Sequence, residues 1–467
     1  MRVFEPGGVG GSGRRAPAWH ALEGLLSHPG GVALLGAILL LPLALNPGWF
    51  SHDELQWAAF ARPLDGVPAA AGWLEIERFQ YRPLTFELWL ALASWLAESP
   101  RLHHAVHAAL GLAVALALRG TLVAWRVPSA TAGLAALLFL AHPYAVFVHA
   151  WVATLADLIW VGAGIAIARV MAPSRSGAAP GVLRVLGVAP LVMLALLAKE
   201  AAVVLPALLV VLAMLTRERA HLAAAFVAAV PVAAYLALRL PVILSAPADP
   251  VYGWSLAAVP GRALGYVAFP YALALPEIVL LARLPTLAWL ALGAIAALHL
   301  ALVARVSPRA AFGWLAGGLV AVAPVLILSS ASSQYGYGFA AIAAAATAVA
   351  ITGARGRIRG ALLALAAAVA LHGALVGWHV VDAGVRASRF VPALAEALRD
   401  WPGPDPLRLS IDGAGRAWLW TRLTHEVPHV GGVPVGDRVV IVGPGDAADL
   451  RVRRDGRLEP FGVASPR

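Results

Sequence analysis

The chain has 467 residues, 60% of them hydrophobic and only 13% charged, and its mean hydropathy is +0.78. A soluble domain needs about 25% charged residues to cover its surface, which excludes water as the solvent for most of this one. The formal charge of +10 comes from arginines spread over short loops between apolar runs, a pattern of membrane topology and not a nucleic-acid footprint; with no cysteine, disulfides and thiolate metal sites are excluded as well.

Residues 1–30 are polar and rich in Gly, Pro and Arg, and read as a cytoplasmic tail. Apolar runs of about 20 residues then recur, the length that a helix needs to cross ~30 Å of hydrocarbon. A β-barrel would show short alternating segments instead. The first run, 31–49, is too long for a signal-peptide core and reads as an uncleaved span. With Arg2, Arg14 and Arg15 inside, it delivers residues 50–103 to the outer face. Spans 104–124, 130–149 and 152–171 follow, with Arg119, Arg126, Arg169, Arg175 and Arg184 inside. Spans 182–198 and 201–216 form a hairpin tipped by Lys199 and Glu200, and span 220–243 leads out again.

Two apolar pieces do not fit as spans. Counting 262–283, which Pro270 and Pro276 interrupt, would put Arg305, Arg309, Arg355, Arg357 and Arg359 outside; as an outer-face interfacial or re-entrant piece it leaves them inside. The same reasoning makes 84–97 an interfacial helix of the first outer loop. Spans 285–304, 310–329, 335–353 and 360–381 complete a total of about eleven. The expected fold is an all-α polytopic membrane domain over 31–382, N-terminus in and C-terminus out. Residues 383–467 read as a small extracytoplasmic α+β domain: turn signals at Pro402-Gly403-Pro404 and Gly443-Pro444-Gly445 separate strand-like runs Leu407–Ile411, Arg438–Val442 and Leu450–Val452, with a helix over Ala417–His425.

The polar residues near the outer face carry the candidate chemistry. Asp53 and Glu54 follow the first span directly, and adjacent carboxylates at a membrane surface persist most readily where one acts as a base or binds a cation; a plain solvated flank is the alternative. Lys199 is the only lysine of the chain and sits with Glu200 between two apolar runs. It reads either as half of a neutralising pair that marks the turn or as a point charge for an anionic lipid phosphate. Asp157, near the outer end of a span, is a functional acid or a helix–helix hydrogen-bond partner. Arg82 opens the loop helix ahead of Pro83. His103 and His107 have the spacing of a helical metal pair but lack a third ligand, so no metal site is expected there. Gln334-Tyr335-Gly336-Tyr337 opens a late span as an aromatic belt.

The order of these positions resembles the GT-C superfamily of polyprenyl-phosphate-sugar glycosyltransferases, in its protein O-mannosyltransferase-like branch, over residues 31–382. The matching features are an acidic pair after span one, Tyr81-Arg82-Pro83-Leu84, a His-rich start of span two, His142-Pro143, Asp157, Leu-Ala-Lys199-Glu200 and a Tyr-x-Tyr at a late span. The resemblance implies that Asp53 is the catalytic acid of the first loop with Glu54 as its partner. It implies that Arg82, Lys199, Gln334 and Tyr335 bind the donor phosphate, and that His104, Asp157, Glu200 and Tyr337 support them. The chain departs from the family where Phe147 replaces a glutamate, Leu155 and Gln334 replace arginines and His107 replaces an asparagine; it also has no TPR array.

The function so implied is transfer of a sugar from a polyprenyl-phosphate donor to an acceptor hydroxyl, on a protein or glycan, at the outer face of a bacterial plasma membrane, by inverting displacement. No cofactor is required, and a divalent cation at Asp53/Glu54 is compatible with the scheme. The phosphate leaving group needs cations more than an acid, and one carboxylate suffices as base for a single displacement. The rival readings are an inactive relative that binds lipid-linked glycan, and a transporter or flippase of lipid-linked substrates.

Overall fold

A computed structural model describes residues 17–461 apart from 68, 71, 79, 175–179, 246–252, 276–280, 283, 402, 413–416 and 444. Arg2, Arg14, Arg15, Arg175, Pro276, Pro402 and Pro444, used above, lie outside the described residues. The first helices are α1 (Pro17–Ser27), α2 (Pro29–Ala44), α3 (His52–Ala61), α4 (Pro83–Leu96), α5 (Pro100–Ala124), α6 (Ser129–Leu140), α7 (Pro143–Ala150) and α8 (Leu155–Val170). They are followed by α9 (Val182–Leu186), α10 (Val188–Ala198), α11 (Leu205–Thr216), α12 (Arg219–Leu244), α13 (Val259–Ala268), α14 (Thr286–Val306), α15 (Pro308–Phe312), α16 (Gly318–Leu326), α17 (Tyr337–Gly353), α18 (Gly356–Arg399) and α19 (Ala417–Thr424).

Among the described residues seven helices are long and apolar enough to cross a membrane, or nine if each of two bent pairs counts as one span. The pairs are α1–α2, bent by 97°, and α6–α7, bent by 64°. Both bends fall where a histidine precedes a proline. Proline disfavours helical backbone at the residue before it, and His28 and His142 are extended there, each capping the next helix with its side chain. The other two predicted spans, 182–198 and 201–216, correspond to shorter apolar helices that both pack along α12. The molecule is thus a polytopic helical membrane protein. Its exposed large apolar side chains, such as Ile38, Phe226, Leu287 and Trp378, form the surface that hydrocarbon covers.

The two demoted pieces are short in the structure too. At 1.5 Å per residue, α13 with 10 residues and α4 with 14 reach about 15 and 21 Å, less than a bilayer core. Pro270 ends α13 in a 3₁₀ turn. Residues 17–27 differ from the expected tail: they form α1, which packs against α6.

The C-terminal sheet has strands β1 (Leu407–Ile411), β4 (Val439–Val442), β5 (Leu450–Val452) and β6 (Leu458–Pro460) in the order β4-β1-β5-β6, with β1 parallel to β4 and β5 and β6 antiparallel to β5. A two-stranded ribbon, β2 (His429–Val430) and β3 (Val433–Pro434), lies beside it in sequence. The expected boundary at 382/383 falls inside α18, a single 44-residue helix. Pro392 lies inside this helix without ending it, and the outer half of the helix carries Phe390, Leu394 and Leu398 into the core of the small domain. The sheet therefore stands on an extension of a membrane helix and is not joined to it by a linker.

Candidate functional site

Chain direction brings the candidate residues to one end of the bundle. Asp53 follows the end of α2, His104 begins α5, Asp157 begins α8, Lys199 ends α10 and Tyr335 precedes α17. Arg126, Arg169, Arg184, Arg217, Arg305 and Arg355 lie at the opposite helix ends.

The first cluster is built by the cap of α3. Ser51 is the N-cap and Glu54 completes a capping box, its Oε2 accepting the backbone N–H of Phe50 and, at 3.1 Å, of Ser51. Glu54 is buried, and that burial pushes its carboxyl up to about 8. Its Oε1 faces His104 Nε2 at 3.9 Å, and neither atom has a hydrogen-bond partner among the described residues. His104 Nδ1 lies 3.2 Å from the Asn46 carbonyl, an acceptor, so Nδ1 carries the proton and Nε2 is left to accept.

Asp53 turns the other way. Its Oδ2 accepts Ser51 Oγ–H at 2.6 Å and Arg422 Nη2–H at 3.0 Å, while Oδ1 lies 3.6 Å from His52 Nε2. The two adjacent carboxylates thus have different partners: Glu54 secures the backbone and Asp53 meets the C-terminal domain.

The second cluster is ionic. Lys199 Nζ donates to both oxygens of Asp157 at 2.6 and 2.5 Å and lies 4.8 Å above the Tyr335 ring. Both members of the ion pair are buried. Trp160 Nε1 donates to Asp157 Oδ1 at 3.3 Å. Arg82 Nε donates to Glu200 Oε2 at 2.8 Å. The neutralising pair read from sequence, Lys199 with Glu200, is therefore replaced by two pairs with exchanged partners. The physical reason is the break at Lys199: its backbone is extended (φ −158°, ψ 135°), so consecutive side chains diverge.

Helix α4 links the clusters. Thr85 Oγ1 donates to the Ala198 carbonyl at 2.9 Å and Trp89 Nε1 to the Val152 carbonyl at 2.9 Å, while the Trp57 ring of α3 packs at a tilt against Phe86 and Trp89. The loop ahead of it is held by Arg239, a buried arginine of α12 that donates to the carbonyls of Ile76 and Arg78 and lies over the Tyr81 ring. Arg239 and Arg422 escaped sequence reasoning because each was one arginine among many, with no motif around it.

The remaining predicted positions lie outside the two clusters. His107 Nε2 bonds to the Val148 carbonyl at 2.9 Å, Tyr337 OH meets His149 Nε2 at 2.9 Å, and Gln334 Oε1 is buried without a hydrogen-bond partner among the described residues. Phe147, where the family has a glutamate, is fully buried against Phe50 and Trp151. Among the described residues no three His, Asp or Glu side chains gather as a metal site.

Below the ionic cluster lies an apolar slot of about 290 Å³ between α5, α8, α11, α16 and α17. It begins at Trp160 and Gly338 and ends at Trp125 and Arg309. Its lining runs along α17 from Gly338 to Val349, about 16 Å of helix. The same Trp160 that roofs the slot touches Asp157, so the cavity starts beside the Lys199 ion pair.

Fold and site together define a polytopic membrane protein with a one-sided polar site above an apolar slot. No protein family matches the sequence, and no curated protein sequence matches it. Among solved structures, the crystal structure of ArnT from Cupriavidus metallidurans bound to undecaprenyl phosphate is similar, with a TM-score of 0.48 and 15% identity over 92% of this chain and 87% of that chain.

Proposed function

We propose that the chain is a GT-C-like membrane glycosyltransferase that moves a sugar from a polyprenyl-phosphate donor to an acceptor hydroxyl at the outer face of a bacterial plasma membrane. One observation carries the reading: the chain's single lysine is buried in an ion pair with Asp157, which touches Trp160 in the lining of an apolar slot, so that a lipid's phosphate and its hydrocarbon would lie in sequence. The opposed arginine-rich end supports the orientation, with the site outside and the arginines in the cytoplasm.

In this reading the isoprenoid chain enters the slot and the phosphate sits at Lys199, with Arg82 beside it. Each cation is balanced by an acid, so both are aimed before the donor arrives, and the phosphate joins the pairs as a further anion. As the glycosidic C–O bond breaks, negative charge grows on the phosphate oxygen, and cations in a water-poor site stabilise it strongly. Asp53 accepts the proton of the acceptor hydroxyl as that oxygen attacks the anomeric carbon from the opposite face. The scheme needs one carboxylate, so Phe147 in place of a second acid is compatible with it. A divalent cation, if used, would bind at Asp53, since Glu54 is committed to the cap.

The second reading, an inactive relative that binds lipid-linked glycan, is favoured by Phe147 and by the neutralisation of both cations. The deciding experiment incubates the purified protein in liposomes with radiolabelled polyprenyl-phosphate sugars. Release of polyprenyl phosphate with label on an acceptor supports the transferase. Saturable binding without release supports the inactive relative, and neither outcome would reject both.

A further inference from the structure

We propose that the C-terminal domain completes the candidate site by supplying Arg422, which acts as a positioning residue for the Asp53 carboxylate. The inference rests on the reading of Asp53 as the base.

The geometry around the carboxylate is asymmetric. Ser51 Oγ and Arg422 Nη2 both grip Oδ2, at 2.6 and 3.0 Å. Two donors on one oxygen occupy its two lone-pair directions and fix the rotation of the group. Oδ1 is left as the presented oxygen, with His52 Nε2 3.6 Å away. Ser51 alone would leave a side chain on the first turn of a ten-residue helix with one local tether. As a stabilising bridge the pair contributes little, because both side chains keep solvent contact, 23% and 31% exposed. Its effect is on orientation.

Arg422 comes from rigid elements. On α19, Trp420 is buried and packs on Phe390 of α18 with ring centroids 4.9 Å apart. Trp418 packs on Phe50 at 5.7 Å, next to the cap residue of α3. A second polar tie, Gln56 Nε2–H to the Glu426 carbonyl at 2.8 Å, joins the next turn of α3 to the end of α19. α18 is itself fastened to the loop that carries Ser51: a Cβ on Gly384 would collide with the Asn46 carboxamide, and one on Gly48 with the Gly384 carbonyl. The base and its clamp are thus referred to the same helix, and the continuity of α18 across the domain boundary has a use.

The test compares Arg422→Gln, Arg422→Lys, Asp53→Asn and the double variant Asp53→Asn/Arg422→Gln in the liposome transfer assay. Misaiming a reacting group by about 1 Å costs on the order of 10²-fold. Arg422→Gln should lower kcat by roughly 10–100-fold with the donor KM unchanged, since Arg82 and Lys199 are untouched. Arg422→Lys should recover part of the loss, and the double variant should be no slower than Asp53→Asn alone. If Asp53→Asn is inactive while Arg422→Gln turns over normally, the inference fails and the reading of Asp53 stands. A donor KM and melting temperature that shift together with kcat would also overturn it, because they mark a general structural role. If Asp53→Asn is as active as the wild type, the reading of the base falls and takes the inference with it.

Discussion

The ammonium group of Lys199 is held by both carboxylate oxygens of Asp157, at 2.6 and 2.5 Å, across 42 residues of chain. The pair is buried beside Trp160, which lines an apolar slot, and removing either partner leaves an uncompensated buried charge. Breaking such a pair costs about 3–5 kcal/mol, whereas replacing both partners by neutral groups costs far less. Lys199→Met should therefore lower stability in detergent by about that amount, and Lys199→Met/Asp157→Asn should recover most of it. Neither variant should bind polyprenyl phosphate. Thermal melting and a lipid-phosphate binding assay separate the two roles; a double variant that folds and still binds the lipid phosphate would remove Lys199 from the site.

Asp53 is the candidate base, and general-base catalysis contributes typically 10²–10⁴-fold. Asp53→Asn should lose roughly that factor in transfer rate while membrane insertion and yield stay normal. The side chain is partly exposed and is not the residue that caps α3, so the fold has little reason to change. Single-turnover transfer with the protein in excess over the donor measures the effect, and near-wild-type rates would argue against a base at this position.

Glu54 predicts an unusual dependence of stability on pH. Burial raises its carboxyl from the ordinary 4.5 to about 8, so the folded chain holds this proton more tightly than the unfolded one. Such a group stabilises the fold where both states are protonated, and that contribution is lost as pH rises from the ordinary carboxyl range to about 8. Melting temperature should fall across that window. Glu54→Gln keeps the capping side chain and should flatten the slope. Melting curves between these limits for both proteins provide the comparison, and parallel curves would show that Glu54 is not the source.

Much of the architecture was legible because membrane spans and turns leave strong signals. Runs of about 20 apolar residues and a one-sided distribution of arginine marked the helices, and Pro-Gly clusters bracketed strands that recur at Leu407–Ile411 and Leu450–Val452. The break inside 130–149 was less visible, because a His-Pro bend leaves hydropathy unchanged. The boundary near 382 falls inside a helix for the same kind of reason: hydropathy falls where the lipid ends, yet α18 runs on through Gly384 and Pro392 to Arg399. In the site, Asp53, Arg82, Asp157, Lys199 and Tyr335 were legible as polar residues that cost energy next to a bilayer. Their pairing was not, since adjacency in sequence suggested Lys199–Glu200 and the extended backbone at Lys199 sends the two apart. Arg422 and Arg239 were invisible because partners 369 and 161–163 residues away leave no periodicity.

The slot gives a prediction independent of the polar clusters. Ala345 of α17 lines it, and filling it with a larger side chain removes volume without touching Lys199, Arg82 or Asp53. Ala345→Phe should raise the KM for a long-chain polyprenyl donor while leaving transfer from a short, water-soluble isoprenoid analogue close to normal. The logic is one of area: each buried CH₂ contributes about 0.8 kcal/mol, so displacing even two or three isoprene carbons from the slot costs a factor of ten or more in affinity. Chain-length series with the wild type and the variant measure this directly. Equal losses for short and long donors would mean that the slot is not where the lipid lies.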